Sequence, residues 1–173
     1  MTADVVLALG SNLGDRLGNL RAAVAALERG GCEVTVASSV WETEPVPPGQ
    51  PKYLNAVIRA RCPQRPRDLL ALAKAIEREL GRRSGPRWGP RPIDIDILFY
   101  GEERVSEPDL EIPHPRIAER AFVLLPLAEV WPGPLPLLGE PADALLARIG
   151  RSGAVRLDEP LLSPGPGGVH KAE

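Results

Sequence analysis

The chain has 173 residues, of which 43% are hydrophobic and 25% charged, a composition typical of a globular protein with a buried core. A formal net charge of −2 argues against the basic surface of a nucleic-acid-binding protein. No apolar run approaches the ~20 residues that span a bilayer, and the first residues, Met1 to Asp4, lack the basic and apolar regions typical of a signal peptide. The two cysteines form neither a metal-site spacing nor a disulfide framework. We therefore expect a cytoplasmic protein with no membrane or nucleic-acid partner.

The first half of the chain predicts three strands and one helix. Residues 5–9 form a buried strand that ends in a turn at Gly10, and Asp15 caps a helix that stops at Gly30-Gly31. Residues 32–40 alternate between apolar and polar side chains and predict one half-buried strand. Residues 44–52 contain four prolines and predict a loop, after which alternation resumes over residues 53–62.

The second half begins with a helix from Pro66 to Gly81, followed by an arginine-, glycine- and proline-rich segment. A strand is predicted over residues 93–100, then a short hairpin within 101–112 and helices near 119–130 and 142–149. The order β-α-β-β-α-β predicts an α+β fold with a ferredoxin-like core, an antiparallel sheet with helices on one face, and a C-terminal helical extension. We expect one domain over residues 1–162 and a disordered tail over 163–173.

The side-chain alternation of the strands predicts what lies on the sheet face without helices. Ile93, Ile95 and Ile97 face the helices, so Asp94 and Asp96 face the open side. Tyr53 and Asn55 point the same way. In ferredoxin-like sheets the first strand lies between the strand of Tyr53 and Asn55 and the strand of the two aspartates. On the open face it offers only Val6, Ala8 and Gly10. These residues predict the floor of a ligand site.

Asp94 and Asp96 are the first candidates for chemistry. Residues two positions apart on a strand share a face, with Cα atoms roughly 6.5 Å apart, so both carboxylates can hold one ion or bridge two. Such hard oxygen ligands suit Mg²⁺ together with substrate phosphates. The alternative is a solvated strand face that keeps an edge soluble, although the pair interrupts an otherwise apolar strand.

Four arginines precede this strand within residues 82–92, and Trp88 lies among them. Guanidinium groups bind phosphate oxygens and indole stacks on flat rings, so the segment predicts a polyphosphate site and a candidate lid. A basic loop that neutralises nearby acids is the alternative. Three aromatic side chains elsewhere in the chain are also candidates. Tyr53 and Phe122 can enclose a ring-shaped ligand or pack in the core, and His114 can contact phosphate or close a turn.

The run from Arg87 to Ile97 strongly resembles the 6-hydroxymethyl-7,8-dihydropterin pyrophosphokinase family of folate biosynthesis. The likeness extends to Leu9-Gly10-Ser11-Asn12-Leu13, Tyr53-Leu54-Asn55-Ala56 and Pro113-His114-Pro115-Arg116, and covers roughly residues 4–150. The resemblance implies a ferredoxin-like fold and transfer of pyrophosphate from ATP to the pterin, with release of AMP. It also implies two Mg²⁺ ions, ATP as co-substrate and, we expect, a monomer.

The resemblance implies roles for individual residues. The catalytic residues would be Arg82, Arg91, Asp94 and Asp96, and the metal ligands would be Asp94 and Asp96. The ATP site would comprise Glu77, Arg82, Trp88, Arg91, Ile97, His114 and Arg120. The pterin site would comprise Thr43, Val46, Tyr53, Asn55, Trp88 and Phe122.

The chain departs from the family pattern at a few positions. Ser84 stands where the family often has a second arginine, Asp109 and Glu111 stand where basic or neutral nucleotide contacts are expected, and the loop after Glu44 is short. Two other functions remain open: an RNA-binding sheet, which the acidic face argues against, and a nucleotide-binding regulatory domain without turnover, which the aspartate pair argues against.

The second and third predicted strands can form a hairpin in which Val40 pairs with Leu54. This pairing would also place Cys32 opposite Cys62, where both are expected to be thiols.

Overall fold

The computed structural model describes residues 2–45, 48–81, 92–151 and 153–162. Its elements follow the predicted order, except that one predicted strand is divided in two and a C-terminal strand is added. They are β1 Ala3–Ser11, α1 Arg16–Arg29, β2 Glu33–Ala37, β3 Ser39–Thr43, β4 Tyr53–Cys62, α2 Pro66–Gly81, β5 Asp94–Tyr100, β6 Val105–Glu107, β7 Leu110–Ile112, a 3₁₀ turn Ile117–Glu119, α3 Ala121–Val130, α4 Ala142–Ile149 and β8 Val155–Pro160. Asp15 caps α1 as predicted, since its Oδ1 accepts a hydrogen bond from the Gly18 N–H at 3.0 Å.

The main sheet has the strand order β5-β1-β4-β3-β8, and β2 also pairs with β4. Every pairing in it is antiparallel. β1 lies between β4 and β5, so Gly10 stands opposite Asn55 on one side and Asp94 on the other. The central position suits β1 because Val5, Val6 and Leu7 are fully buried on both of its faces. The ferredoxin-like fold and the central position of the first strand are thus confirmed.

Helices α1 and α2 cover one face of the sheet, where Leu20, Leu27 and Leu69 pack with the apolar side chains of β1, β4 and β5. The extension α3 and α4 covers part of the opposite face, where Leu124 and Leu127 join a second cluster with Val6, Trp41, Val57 and Phe99. The expectation that Val6 faces an open surface was therefore wrong. The uncovered part of that face is the end of β1 that carries Ala8 and Gly10.

The strand predicted over residues 32–40 is divided into β2 and β3. Val34 pairs with Ala60 but Val36 pairs with Arg59, which marks a register shift, and a further one-residue shift leads to Trp41 opposite Asn55. Leu54 consequently pairs with Glu42, and the predicted pairing of Val40 with Leu54 was wrong. Each extra residue reverses which face the following side chains occupy, and simple alternation cannot reveal it.

The cysteine part of that prediction holds, because it depends on the register before the shift. Glu33 pairs with Arg61, so Cys32 lies beside Cys62, and both are buried free thiols. The Cys32 Sγ–H also donates to Gln64 Oε1 at 3.6 Å. A hydrogen bond with Cys32, reinforced by burial, raises the pKa of the Cys62 thiol.

Strand β8 was missed in the sequence. It pairs with β3, and the residue that follows it, Leu161, is buried in the helix-covered core. Arg21 of α1 donates hydrogen bonds to the backbone oxygens of Pro160 at 2.6 Å and Leu161 at 3.0 Å.

The tail predicted over 163–173 lies outside the described residues. None of the helices in the described ranges is long and apolar enough to cross a membrane.

Candidate active site

A cavity of about 310 Å³ lies on the uncovered part of the sheet, beside the N-terminal end of α3. Its wall residues are Ala8, Leu9, Gly10, Thr43, Glu44, Tyr53, Asn55, Ala56, Asp94, Asp96, Arg116, Glu119, Arg120, Phe122 and Val123. This volume is at the lower end of the range of about 300–1,000 Å³ typical of small-molecule sites. The cavity floor therefore has the predicted arrangement, with small residues on β1 between Asn55 and the aspartates.

Asp94 and Asp96 reach the cavity because β5 is anchored from its other face. Ile93, Ile95 and Ile97 are buried against the helices, and the aspartates between them point the opposite way. β1 fixes their positions along the strand, since Gly10 pairs with Asp94 and Ala8 with Asp96. The two carboxylates thus share one wall of the cavity.

The peptide between the aspartates has a further partner outside the sheet. Glu77, near the end of α2, accepts a hydrogen bond from the Ile95 backbone N–H to its Oε2 at 2.8 Å. Its Oε1 lies 3.4 Å from the ammonium nitrogen of Lys74. The Glu77 side chain is only 13% exposed and does not belong to the cavity wall.

Asn55 and Thr43 form a buried polar pair on the opposite wall. The Asn55 Nδ2 donates to the Thr43 Oγ1 at 2.6 Å. A Cβ atom placed on Gly10 would come within 2.8 Å of the Asn55 Oδ1, so the glycine leaves space for this amide. With one N–H engaged by Thr43, the amide can offer an acceptor and a second donor to the edge of a ligand ring.

The turn after β1 holds the loop that leads into β4. The Asn12 Nδ2 lies 3.2 Å from both the Gln50 Oε1 and the Pro51 carbonyl oxygen, and donates to each. Arg16 donates to the Lys52 carbonyl oxygen at 3.0 Å. These contacts give the Gly10-Ser11-Asn12 turn a structural role in positioning the start of β4, where Tyr53 and Asn55 lie.

The α3 side of the cavity carries an aromatic ring and several charges. Phe122 is half-buried, and the Arg120 guanidinium carbon lies 5.5 Å from the centre of its ring, within the range of a cation–π contact. Tyr53 and Phe122 both line the cavity, so both predicted aromatic residues are available to a ring-shaped ligand. Arg116 and Glu119 add one charge of each sign.

His114 lies outside the cavity wall, at the turn that follows β7. Its backbone N–H donates to the Leu98 carbonyl oxygen at 3.1 Å, and its Nδ1 accepts from the Arg116 backbone N–H at 3.3 Å. Burial lowers the pKa of His114, partly opposed by the charge of Asp96. A neutral ring whose Nδ1 is an acceptor carries its proton on Nε2, which leaves that nitrogen as a donor.

Asp109, a residue that departs from the family pattern, has a partner outside the cavity. Both of its oxygens accept hydrogen bonds from Arg67 at the start of α2, at 3.0 and 2.9 Å, and Glu107 contacts the same guanidinium. This contact lowers the pKa of Asp109 and ties the β6–β7 hairpin to α2.

The structure separates the predicted site residues into three groups. Seven line the cavity: Thr43, Tyr53, Asn55, Asp94, Asp96, Arg120 and Phe122. Three lie outside its wall, namely Glu77, Ile97, whose side chain is buried on the helix side, and His114. Val46, Arg82, Trp88 and Arg91, together with the rest of the candidate lid, lie outside the described residues.

Six wall residues outside the predicted floor were not predicted as site residues: Leu9 and Ala56 lie on β1 and β4 beside predicted ones, and four come from elsewhere, namely Glu44, Arg116, Glu119 and Val123. Arg116 belongs to the Pro113-His114-Pro115-Arg116 motif, so the motif itself was an available signal. The other three are placed by the approach of α3 to the end of β3, a contact between distant parts of the chain that no local pattern encodes.

The donor set of the cavity can be compared with the needs of a metal ion. Among the residues that the structure describes, no three His, Cys, Asp or Glu side chains are close enough to form a metal site. Two carboxylates on one cavity wall nevertheless fit Mg²⁺, which usually takes one or two carboxylates and completes its shell with water and substrate phosphates.

The strand order and the polar cavity on one face define a ferredoxin-like α+β protein with a site sized for a small molecule. Comparison with known proteins narrows this class. Residues 6–132 match the family 7,8-dihydro-6-hydroxymethylpterin-pyrophosphokinase (HPPK). The 2-amino-4-hydroxy-6-hydroxymethyldihydropteridine pyrophosphokinase of Bacillus subtilis is 47% identical over 126 residues, which is 72% of this chain and 75% of that protein.

Two of the proteins that this chain matches are longer. The mitochondrial folate synthesis bifunctional protein of Arabidopsis thaliana is 50% identical over 128 residues, 73% of this chain, but the match spans only 23% of that protein's length. The structure of Plasmodium falciparum HPPK-DHPS wild type with pteroate superposes with a TM-score of 0.68 at 14% identity, over 86% of this chain and 44% of that chain. The chain belongs to the HPPK family, which confirms the resemblance found in the sequence.

Proposed function

We propose that this chain transfers the pyrophosphate group of ATP to 6-hydroxymethyl-7,8-dihydropterin, giving the pterin diphosphate and AMP in folate biosynthesis. The observation that carries the proposal is one cavity in which the paired carboxylates of Asp94 and Asp96 lie across β1 from the Asn55–Thr43 amide pair. One wall offers ligands for phosphate-bound cations, and the other offers an edge that reads an amide-like ring.

The pterin is held by the wall formed by β3, β4 and α3. Asn55 presents its acceptor and remaining donor to the ring edge, while Thr43 holds the amide in one orientation. Tyr53 and Phe122 enclose the flat ring. The hydroxymethyl group then extends along Ala8 and Gly10, whose small side chains leave room for it, toward the aspartates.

Asp94 and Asp96 would hold two Mg²⁺ ions, making the activity magnesium-dependent. When bound, these ions would neutralise charge on the ATP phosphates and orient them for in-line transfer. Arg120 from the cavity wall and the Nε2–H of His114 from beside it would contact the same phosphates. Arg82, Arg91 and Trp88 are proposed to complete the nucleotide site from the segment before β5, with Glu77 and Ile97 nearby.

The transfer forms a bond between the pterin hydroxymethyl oxygen and the β-phosphorus of ATP. The bond between that phosphorus and the α–β bridging oxygen breaks, and AMP leaves with the oxygen while the hydroxyl proton is released. The protein contributes by orienting the two substrates and matching the charge, which together supply most of the catalysis in phosphoryl transfer. We further propose that the chain acts as a monomer in the cytoplasm.

The test is incubation with ATP, Mg²⁺ and the reduced pterin, followed by separation of nucleotides and pterins. We expect AMP and the pterin diphosphate in equal amounts, and no AMP when either Mg²⁺ or the pterin is omitted. Formation of ADP instead of AMP, or binding of ATP without any product, would contradict the proposal. The latter result would favour a nucleotide-binding regulatory domain.

A further inference from the structure

Strand β5 lies at the edge of the sheet, with β1 as its neighbour in the main sheet. In an antiparallel pair, successive residues direct their backbone N–H and C=O groups alternately toward and away from the neighbouring strand. Because the Ile95 N–H is taken by Glu77 on the side away from β1, the pairs Gly10–Asp94 and Ala8–Asp96 are those hydrogen-bonded to β1. The segment that carries the aspartates is therefore held from both sides.

Glu77 is placed to act on the backbone rather than on a ligand. The Oε2 atom binds the Ile95 N–H at 2.8 Å and the Oε1 atom lies 3.4 Å from the Lys74 ammonium. Its neighbour Ile76 is buried in the core, which fixes this turn of α2 against the sheet. A bond from a carboxylate to a backbone N–H is among the stronger hydrogen bonds in proteins.

We infer that Glu77 is a positioning residue for the aspartate pair: it fixes the peptide between Asp94 and Asp96 and thereby sets the spacing and direction of their carboxylates. This role differs from the direct nucleotide contact that the family resemblance implies for Glu77. The metal-binding consequence depends on the proposed function, because it assumes that the aspartates bind divalent cations. The effect on the strand backbone does not depend on it.

Two substitutions separate the roles. Glu77→Gln keeps a side-chain oxygen that can accept the Ile95 N–H, whereas Glu77→Ala removes the acceptor. Glu79→Ala is the matched control, because Glu79 is an exposed glutamate on the same helix. Thermal unfolding of each variant checks that it is folded before any comparison is made.

The first measurement is hydrogen exchange at the Ile95 amide in metal-free protein. We expect exchange about tenfold faster in Glu77→Ala than in the native chain, with Glu77→Gln and Glu79→Ala close to native. The second is Mn²⁺ binding, followed by electron paramagnetic resonance, in the presence of an ATP analogue with a methylene group between the α- and β-phosphorus atoms. The Mn²⁺ dissociation constant should rise about tenfold in Glu77→Ala and much less in Glu77→Gln. The third is binding of the analogue without metal, which should be unchanged in all variants.

Two other outcomes contradict the inference, and a third contradicts only the proposed function. If both Glu77 variants weaken binding of the analogue without metal while Ile95 exchange stays native, Glu77 contacts the nucleotide directly. If Glu77→Ala behaves like Glu79→Ala in every measurement, its carboxylate has no positioning role. If the native chain forms no AMP but Ile95 exchange follows the expected pattern, the proposed function fails while the backbone role of Glu77 stands.

Discussion

Asp94 and Asp96 share one wall of the cavity, and each can be changed to asparagine with almost no change in shape. If they hold catalytic Mg²⁺, either substitution should lower the rate of AMP formation by about 100-fold or more, because bound cations supply much of the charge stabilisation. Pterin affinity should change much less, since Asn55 and Thr43 lie on the other wall. Steady-state rates and pterin titration calorimetry measure the two effects.

Asp143→Asn is the control for this pair, because Asp143 is exposed in the first turn of α4. Folding of the cavity variants should be retained or slightly strengthened, since each substitution relieves repulsion between like charges in metal-free protein. Native rates in both Asp94→Asn and Asp96→Asn would mean that the pair only solubilises the strand.

Substitution of Gly10 tests the proposal that the Asn55 wall of the cavity binds the pterin. Its Cβ in Gly10→Ala would lie 2.8 Å from the Asn55 Oδ1 and 3.5 Å from the Tyr53 ring, so the amide must move. We expect pterin affinity to fall about tenfold or more, because a misplaced amide leaves polar groups of the ring unpaired. Binding of the ATP analogue should change less.

Gly133→Ala provides the matched control, since a Cβ there meets nothing within 4 Å. Fluorescence titration with the pterin compares the two variants. Equal affinities would show that Asn55 either does not bind the pterin or adjusts without cost.

At the scale of elements, the β6–β7 hairpin leads directly into the turn that carries His114, and Arg67 ties this hairpin to α2. Arg67→Ala should therefore increase hydrogen exchange over residues 105–112, with Arg78→Ala, an exposed arginine on α2, as the control. It should also raise the pKa of Asp109, which Arg67 now lowers, toward the usual value of about 3.9.

The direction in which pH changes the stability of the folded state follows from the lowered pKa of Asp109. A carboxyl group whose pKa is lowered in the folded state stabilises that state above its unfolded pKa, and the contribution is lost as pH falls through the folded value. NMR titration of the Asp109 carboxyl group in the native chain and in Arg67→Ala measures the two pKa values. An unchanged pKa in Arg67→Ala would show that the contact does not persist in solution.

Elements whose boundaries have a local chemical cause could be predicted from the sequence. β4 and α2 begin and end where alternation, Pro66 and Gly81 place them, and Asp15 caps α1. The division between β2 and β3 could not be predicted, because its register shifts depend on pairing with β4. β8 was missed for a similar reason, since its short, charged sequence becomes a strand through pairing with β3.

At the scale of the whole molecule, the site is predictable where one strand's alternation decides which way a side chain points. Alternation alone places Asp94, Asp96 and Asn55 on the face of the sheet where the cavity lies. Arg116 and Glu119 line it because the 3₁₀ turn and α3 approach the sheet, and Glu77 meets Ile95 through the packing of α2 against β5. Such contacts between distant segments need the folded arrangement.

The C-terminal strand gives the last prediction, because it lies beyond the region that matches the family and yet takes part in the core. Leu161 is 1% exposed, and Arg21 donates hydrogen bonds to the backbone oxygens of Pro160 and Leu161. Leu161→Ala should lower the free energy of unfolding by about 2–5 kcal/mol, the usual cost of removing a buried leucine side chain.

Urea unfolding measures this loss as a lower midpoint with an unchanged m-value. Leu138→Ala, at a residue that is 39% exposed, is the control and should have little effect. The Leu161→Ala variant should still form AMP at its native rate under conditions where it is folded, because Leu161 packs on the helix-covered face, away from the cavity. Native stability in this variant would mean that the strand is not docked in solution, whereas lost activity in folded protein would mean that β8 also shapes the site through β3, whose last residue is Thr43.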